Sequence, residues 1–427
     1  ECPSLVKTLA PYDLAAGGQY YFYHGHTDVK ETALYAQDTM TIGPWSINLG
    51  LRGDFYNGLD AISRQIEPRL GVAYRIKRTN TVLRVSYART LESPFNENLV
   101  LSGTGCTNPV VSAIMTLAQR YDCTTAPLTP GFRNEFHAGL EQAFGRHFVL
   151  SGEYIWKYTH NAYDFNVFGA SPITFPIEWY NSKIPGFAVR GSVPNFHGLT
   201  AFVVLSSVAA RFFQPTVSGI APPPVSGVFR IDHDEVFAQT THAQYQPFKR
   251  GPWMGFNWRY DSGLVTGAVP CLAPTVTCQY SSTSAADAQS AAIPAGFVAM
   301  MNNASALPFS ADQEFQAGLT CNGVAATPTK PLPFLCPAAA LGSTLVKIPA
   351  PGTENDDHNP QRTLPRNLFD LALGHDNLFN SERYKWSIRF TVINLTNKEA
   401  LYNFLSTFSG THYVTPRTMT AELGFHF

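Results

Sequence analysis

Long apolar runs are missing from this sequence. The nearest approach, LTAFVVLSSVAARFF at 199–213, is interrupted by serines and an arginine, whereas a helix that crosses a bilayer needs about 20 apolar residues in succession. Helical membrane spans are thereby excluded. Charge is scarce too: Asp, Glu, Lys and Arg make up 14% of the chain, where about 25–35% is usual on a soluble surface. Part of the surface is therefore expected to meet something other than water. The formal net charge is −1 and no basic stripe occurs, which excludes nucleic acid as a partner. There is no C-x-x-C, and no cysteine pair has a histidine at zinc-finger spacing. No Ser-His-Asp set, glycosidase-like carboxylate pair, phosphate loop or dinucleotide fingerprint is present. We expect no enzyme, no catalytic residue and no resident cofactor or metal. The amino terminus, ECPSLVKTLAPYDL, lacks an initiator Met and has neither the basic head nor the apolar middle of a secretory signal, so a processed or truncated start is expected.

What the sequence has is aromatic residues in alternating patterns. Aromatics reach 13%, with 30 Phe and 19 Tyr, a balance that favours pleated sheet. WSINLGLRGDFY (45–56) sets Trp45, Ile47, Leu49, Leu51 and Phe55 against Ser46, Asn48, Gly50, Arg52 and Asp54. RLGVAYRI (69–76) and WSIRFTV (386–392) repeat the scheme, and so does the terminal RTMTAELGFHF (417–427), with Met419, Ala421, Leu423, Phe425 and Phe427 on one side. Period two over such lengths gives one apolar and one polar face. The pattern predicts 13 strands, at 28–42, 45–57, 67–77, 80–90, 133–144, 147–160, 184–192, 199–210, 234–246, 252–262, 366–375, 385–396 and 415–427. Several exceed the 5 or 6 residues usual in soluble sheets and suit a tilted crossing of a bilayer, which takes about 9–11.

The connections alternate as well. Short ones (43–44, 78–80, 145–146, 193–198, within 247–251, and 376–384) take turns with long ones at 91–132, 161–183, 211–233, 263–365 and 397–414; 58–66 is intermediate. Tight turns on one rim and long loops on the other characterise an outer-membrane barrel. The predicted fold class is therefore all-β, an antiparallel transmembrane β-barrel present in part, its outer face against membrane lipid and its carboxyl terminus on the periplasmic side. A sheet in hydrocarbon must satisfy every backbone N–H and C=O, so the terminal strand needs a neighbour on each side, with Phe427 at the interfacial aromatic girdle. Segment 263–365, rich in Ala, Pro, Ser and Thr, is expected to be a long, disulfide-tied extracellular loop. Only DQEFQAGLTC within it carries a recognisable pattern.

Seven cysteines occur, and six of them form neighbouring pairs, Cys106 with Cys123, Cys271 with Cys278, and Cys321 with Cys336, separated by 16, 6 and 14 residues. Local disulfides in an oxidising compartment are expected. Cys2 is left over, and its partner is expected upstream of residue 1. HDNLFNSE (375–382), IDHDE (231–235) and ENDDHNP (354–360) bring His, Asp and Glu close together, but they fall at turns and rims, where hydrogen-bonded turn residues are the expected reading. Arg52, Arg69, Arg75, Arg84 and Arg389 alternate with apolar neighbours; if the apolar face meets lipid, they face the lumen and pair with carboxylates such as Asp54.

Three segments carry a resemblance to a known family. ALYAQDTMTIGPWSINLGLRGDFY (33–56) resembles the strand, turn and strand that TonB-dependent outer-membrane receptors write around Gln-Asp and a following arginine-bearing strand. VSYARTLESPFNENL (85–99) is similar to their motif of a strand-ending Arg followed by Pro, an acidic or amide residue and Leu, here Arg89, Pro94, Glu97 and Leu99. FTVINLTNKEALY (390–402) resembles the late Asn-Leu-x-x-Lys signature, through Asn394, Leu395, Asn397 and Lys398. IDHDEVF (231–237) and RYDSG (259–263) look like the subclass with a carboxypeptidase-like amino-terminal domain. The resemblance implies a barrel of about 22 strands, of which this chain would supply the carboxyl-terminal 13. It also implies an amino-terminal plug and a contact segment for the TonB energy-transducing complex, both outside this sequence. Active import of a scarce nutrient, such as a ferric siderophore or another large solute, is the function implied; the loops select no particular cargo. The alternatives are a passive porin or surface-adhesion barrel, and a secreted β-sandwich binding module.

Overall fold

The computed structural model describes residues 7–14, 17–59, 61–103, 107–113, 128–167, 173–218, 227–267, 305–306, 310–333, 335–336, 338–350, 353, 355–406 and 410–427. Their strands are β1 (Lys30–Ile42), β2 (Trp45–Gly58), β3 (Ala61–Ile76), β4 (Thr81–Glu92), β5 (Gly131–Phe144), β6 (Phe148–Val167), β7 (Thr174–Phe196), β8 (Leu199–Val208), β9 (Arg211–Ser218), β10 (Val228–Arg230), β11 (Ala238–Tyr245) and β12 (Trp253–Asp261). Short strands follow in the connection between β12 and the next wall strand: β13 (Ser305–Ala306), β14 (Leu319–Cys321), β15 (Val324–Ala325), β16 (Leu335–Cys336), β17 (Leu341–Ser343), β18 (Val346–Lys347) and β19 (Arg362–Thr363). Then come β20 (Arg366–His375), β21 (Lys385–Ile393), β22 (Leu401–Ser406), β23 (Gly410–Tyr413) and β24 (Thr418–His426).

Thirteen of these form one antiparallel wall in the order β1-β2-β3-β4-β5-β6-β7-β8-β11-β12-β20-β21-β24. They are the 13 strands the alternation predicts. Each wall strand pairs with its predecessor in the path, and β9 and β10 form a side hairpin on β7. The register aligns the apolar faces across the wall. Trp45 opposes Tyr74, Tyr74 opposes Leu83, and Leu83 opposes Leu140; two rows over, Leu49, Leu70, Tyr87, Phe136 and Trp156 stand opposite one another in turn. Ring contacts reinforce this row, with Tyr87 and Phe136 centroids 4.7 Å apart and Phe136 and Trp156 5.5 Å apart. At the other end Ile388 opposes Leu423 and Trp386 opposes Phe425. A shallow hollow of about 620 Å³ on this face is lined mainly by apolar side chains, among them Leu70, Val72, Val85, Phe136, Tyr154 and Trp156.

The wall differs from the expected boundaries at the long-loop rim. The segment 58–66, expected as a connection, is mostly strand, because the β2–β3 ladder continues to Gly58 and Ala61. Likewise β6 and β7 run together through most of 161–183, where Asn161, in the left-handed region at φ 56°, interrupts the alternation that sequence reasoning follows. From Phe148 to Tyr158, one aromatic end of the apolar face to the other, the strand rises about 33 Å, or about 23 Å when tilted by about 45°. This matches the apolar band of about 25 Å in outer-membrane barrels. The portion of β7 from Thr174 to Lys183 lies beyond it, and within it residues 175–179 are buried on both faces. There Phe175, Ile177 and Trp179 form a core with Val111, Ala162 and Phe212.

A second core lies in the 262–365 connection. Ser310 caps the helix Ala311–Gln316 in a capping box with Gln313, β14 pairs with β15 and β17, and Cys321 is disulfide-bonded to Cys336. Ala317, Leu319, Leu332 and Val346 pack there against Leu401 and Phe404 of β22. This part of the connection is thus more structured than its composition announces. Cys2, Cys106, Cys123, Cys271 and Cys278 lie outside the described residues.

Candidate functional site

Two polar regions are built on this wall. The first is its polar face. Arg52 on β2 donates to Asp54 two residues along, Nε to Oδ2 at 2.7 Å and Nη2 to Oδ1 at 2.9 Å, a bidentate pair. Glu67, buried on the facing strand, lies 3.4 Å from Arg69 and accepts the Leu91 N–H. Arg84 reaches Glu141 across the β4–β5 ladder at 3.2 Å. His137 bridges Glu135 and Glu153, 2.6 Å from each, and Arg133 and Lys157 approach the same Glu135 at 3.4 and 3.6 Å. Arg389 stands 4.0 Å from Glu422 and 5.5 Å over the Trp253 ring. Arg75 is exposed near the short-turn end, where its N–H bonds the Pro44 carbonyl. In the register these arginines alternate with the apolar rows. Sequence reasoning missed His137 on this face, because a lone His in HAGLEQ carries no signal of the Glu153 carboxylate on the next strand.

The second region is the root of the long loops. Asp234, from IDHDE, is fully buried. It accepts from Arg362 Nη2 at 2.6 Å and Arg230 Nη1 at 3.2 Å and from the Ala210 N–H, and Arg362 also donates to the Asp234 and Gly263 carbonyls. Asp357, from ENDDHNP, accepts from Arg211 Nε and Arg230 Nε at 2.7 Å each. Burial alone would raise its pKa, but these two arginines hold it below the ordinary aspartate range. One turn away, Arg366 pairs with Asp261 at 2.9 Å and donates to the Leu401 carbonyl. The acidic clusters of the sequence are therefore arginine-paired clamps that tie the 209–237 and 262–365 connections together. The same holds for the late signature: Asn394 donates to the Lys398 and Thr415 carbonyls and accepts the Lys398 N–H. It sits at φ 50° and closes the turn after β21. HDNLFNSE lies at the short turn 376–384.

In the loop-covered part of β7, Glu178 accepts from the Thr129 N–H at 3.1 Å and the Thr129 hydroxyl at 3.3 Å, yet burial pushes its carboxyl up to about 7. Burial also raises Glu314, in the capped loop helix, despite the N–H it accepts from Leu332. Neither was singled out from sequence, since a buried glutamate looks like any other until its neighbours are known. Among the described residues no three His, Cys, Asp or Glu side chains converge as a metal site.

Residues 6–118 match a family model described as TonB dependent receptor-like, beta-barrel. No curated protein matches the chain. Among solved structures, the FrpB iron transporter from Neisseria meningitidis is similar with a TM-score of 0.55 and 14% identity, over 99% of this chain and 48% of that one. The copper transporter OprC gives 0.55 and 10%, over 94% and 48%, and the ferric-catecholate import receptor Fiu from K12 E. coli gives 0.52 and 13%, over 94% and 45%. The chain thus spans about half the length of the solved structures it matches. At these identities the shared property is the fold.

Proposed function

We propose that this chain, whose wall has the fold of the TonB-dependent outer-membrane receptors, is the carboxyl-terminal part of such a barrel and serves active import across a Gram-negative outer membrane. The observation that carries the reading is the 13-strand meander with one continuous apolar face, tight turns on one rim and structured loops on the other. A sheet of this kind is stable only with hydrocarbon outside and a protected interior. In this reading the loops face outward, the carboxyl terminus faces the periplasm, and Arg52, Arg69, Arg75, Arg84 and Arg389 line the lumen, where their ion pairs form a charged wall for a plug to dock on. An amino-terminal segment would contact the TonB complex, and energy from the inner membrane would release bound solute inward. Similarity to transporters of iron and copper supports a scarce metal nutrient as cargo. The finer assignment to the subclass with a carboxypeptidase-like domain rests on IDHDEVF and RYDSG, whose aspartates act as clamps to Arg362 and Arg366.

The test is uptake by cells carrying the intact protein, under metal limitation, with and without a functional TonB. TonB-dependent rescue of growth by one of a panel of metal chelates is the expected result. Size-limited diffusion of small solutes independent of TonB would replace the reading by a passive porin. Recovery of the protein in soluble form without detergent would replace it by a secreted β-sandwich.

A further inference from the structure

The segment that leads into β1, QYYFYHGHTDV (19–29), is two-sided, the exposed Gly25 excepted. Tyr21, Tyr23, Thr27 and Val29 are partly buried, while Tyr20, Phe22, His24, His26 and Asp28 are exposed. The inner side is anchored at several points. Tyr21 donates its hydroxyl to Asn108 Oδ1 at 2.8 Å, Tyr21 and Tyr23 pack on the Phe175 and Trp179 core, and Val29 packs on Leu59, Leu99 and Leu128. Gly25 lies against the one-turn helix Leu99–Gly103 so closely that a Cβ would collide with Val100 and come within 3.2 Å of the Tyr23 hydroxyl. The backbone between the two histidines is therefore pressed onto the protein, and only its outer side is free.

On that outer side His24, His26 and Asp28 follow at every second residue, about 6.6 Å apart along an extended chain and on one face. Two imidazoles at this spacing can reach one ion at the bond length of about 2.0–2.1 Å that zinc requires. Asp28 already lies 3.3 Å from His26 Nε2, as a third donor or as the carboxylate that orients the ring. The three groups do not converge on one point in this conformation, but all three are exposed, while the backbone that spaces them is held. A set of two nitrogens and one oxygen selects borderline divalent ions of the Zn²⁺, Ni²⁺ and Cu²⁺ class, with Cu²⁺ held most tightly. With at least one coordination position left open, such a site exchanges its ion or shares it with a small chelator.

We infer that His24, His26 and Asp28 form a capture site for a borderline divalent transition-metal ion at the long-loop rim. The inference names a cargo class for the import reading, but binding measured on detergent-solubilised protein needs no transport, so the two stand or fall separately. The experiment is calorimetric titration of the intact, tag-free protein with Zn²⁺ and then Cu²⁺. It should be run beside His24→Gln, His26→Gln, the double variant, Asp28→Asn, and His197→Gln on the opposite rim. Each single histidine variant is expected to weaken binding by at least the roughly 10–100-fold that loss of an outer-shell partner alone causes. The double variant should abolish the site, Asp28→Asn should weaken it less, and His197→Gln should leave it unchanged. Equal titration curves for the wild-type protein and the double variant, whether both bind or neither does, overturn the inference.

Discussion

Val85 and Ser86 are neighbours in β4 whose side chains lie on opposite faces, and they make a direct test of which face meets lipid. Val85 stands in register with Val72 and Ala138, and Ser86 with Gly71 and His137. Val85 lies four residues from the short-turn end of its strand, about 13 Å along it and about 9 Å above the turn at a tilt of about 45°. That is near the middle of an apolar band of about 25 Å. An arginine placed there must enter hydrocarbon, at a cost of about 2–4 kcal/mol near the midplane. Ser86→Arg joins a face already carrying Arg84 and Glu141 and should cost under about 0.5 kcal/mol, like other substitutions outside the tightly packed core. The difference, about 1.5–4 kcal/mol, corresponds to about a 10- to 900-fold change in the folding equilibrium. Denaturant titration of the intact protein folded into phospholipid vesicles, followed by tryptophan fluorescence, reads it directly. Equal losses for the two variants, or a larger loss for Ser86→Arg, would refute the assignment of faces and the membrane reading with it.

Three more outcomes are expected. Because Glu178 is held protonated to about pH 7 in the folded chain but ionises near 4.5 when unfolded, it should contribute no penalty below pH 4.5. Stability should then fall by about 1.4 kcal/mol per pH unit up to pH 7, and level off near 3 kcal/mol. Glu178→Gln, which loses one acceptor oxygen worth about 1 kcal/mol, should therefore be the more stable protein at pH 8 and slightly the less stable at pH 4; a pH-independent difference would sink the argument. Asp234→Ala leaves Arg230 and Arg362 buried without this partner, a loss of about 3–5 kcal/mol. It should speed proteolysis in the 209–237 and 262–365 connections while the heat-modifiable mobility typical of an intact barrel persists; unchanged cleavage would count against the clamp. Replacing Cys321 and Cys336 together by serine removes a closure of about 15 residues, worth about 3 kcal/mol. Hydrogen exchange in residues 310–350 should rise by about two orders of magnitude, and exchange no faster than in the parent would contradict a stapling role.

The wall was legible because its physics is local. A strand between two media repeats every two residues, and Trp45, Leu49, Val72 and Ile388 announce the apolar side without reference to their neighbours. The rim was not legible for the opposite reason. Asp234 and Arg362 meet across a separation of 128 residues, and nothing in IDHDE distinguishes a clamp from a solvated turn. The strands also run past the point where one face turns polar, since β7 continues under the loops with both sides of residues 175–179 buried. Alternation then vanishes from the sequence while the ladder of hydrogen bonds goes on. The arginines stood in between: their face followed from period two, but partners such as Glu67 and Glu141 follow only from register.

Asp234 gathers Arg230, Arg362 and the Ala210 amide into one knot, and Asp357 adds a tie to Arg211 and Arg230, so two long excursions of the chain are moored to one another beside the wall. Their tips can vary in length and chemistry without disturbing the strands beneath, whereas a change at the mooring sets both adrift together. Diversity on the outward surface is thus free at the crown and forbidden at its base.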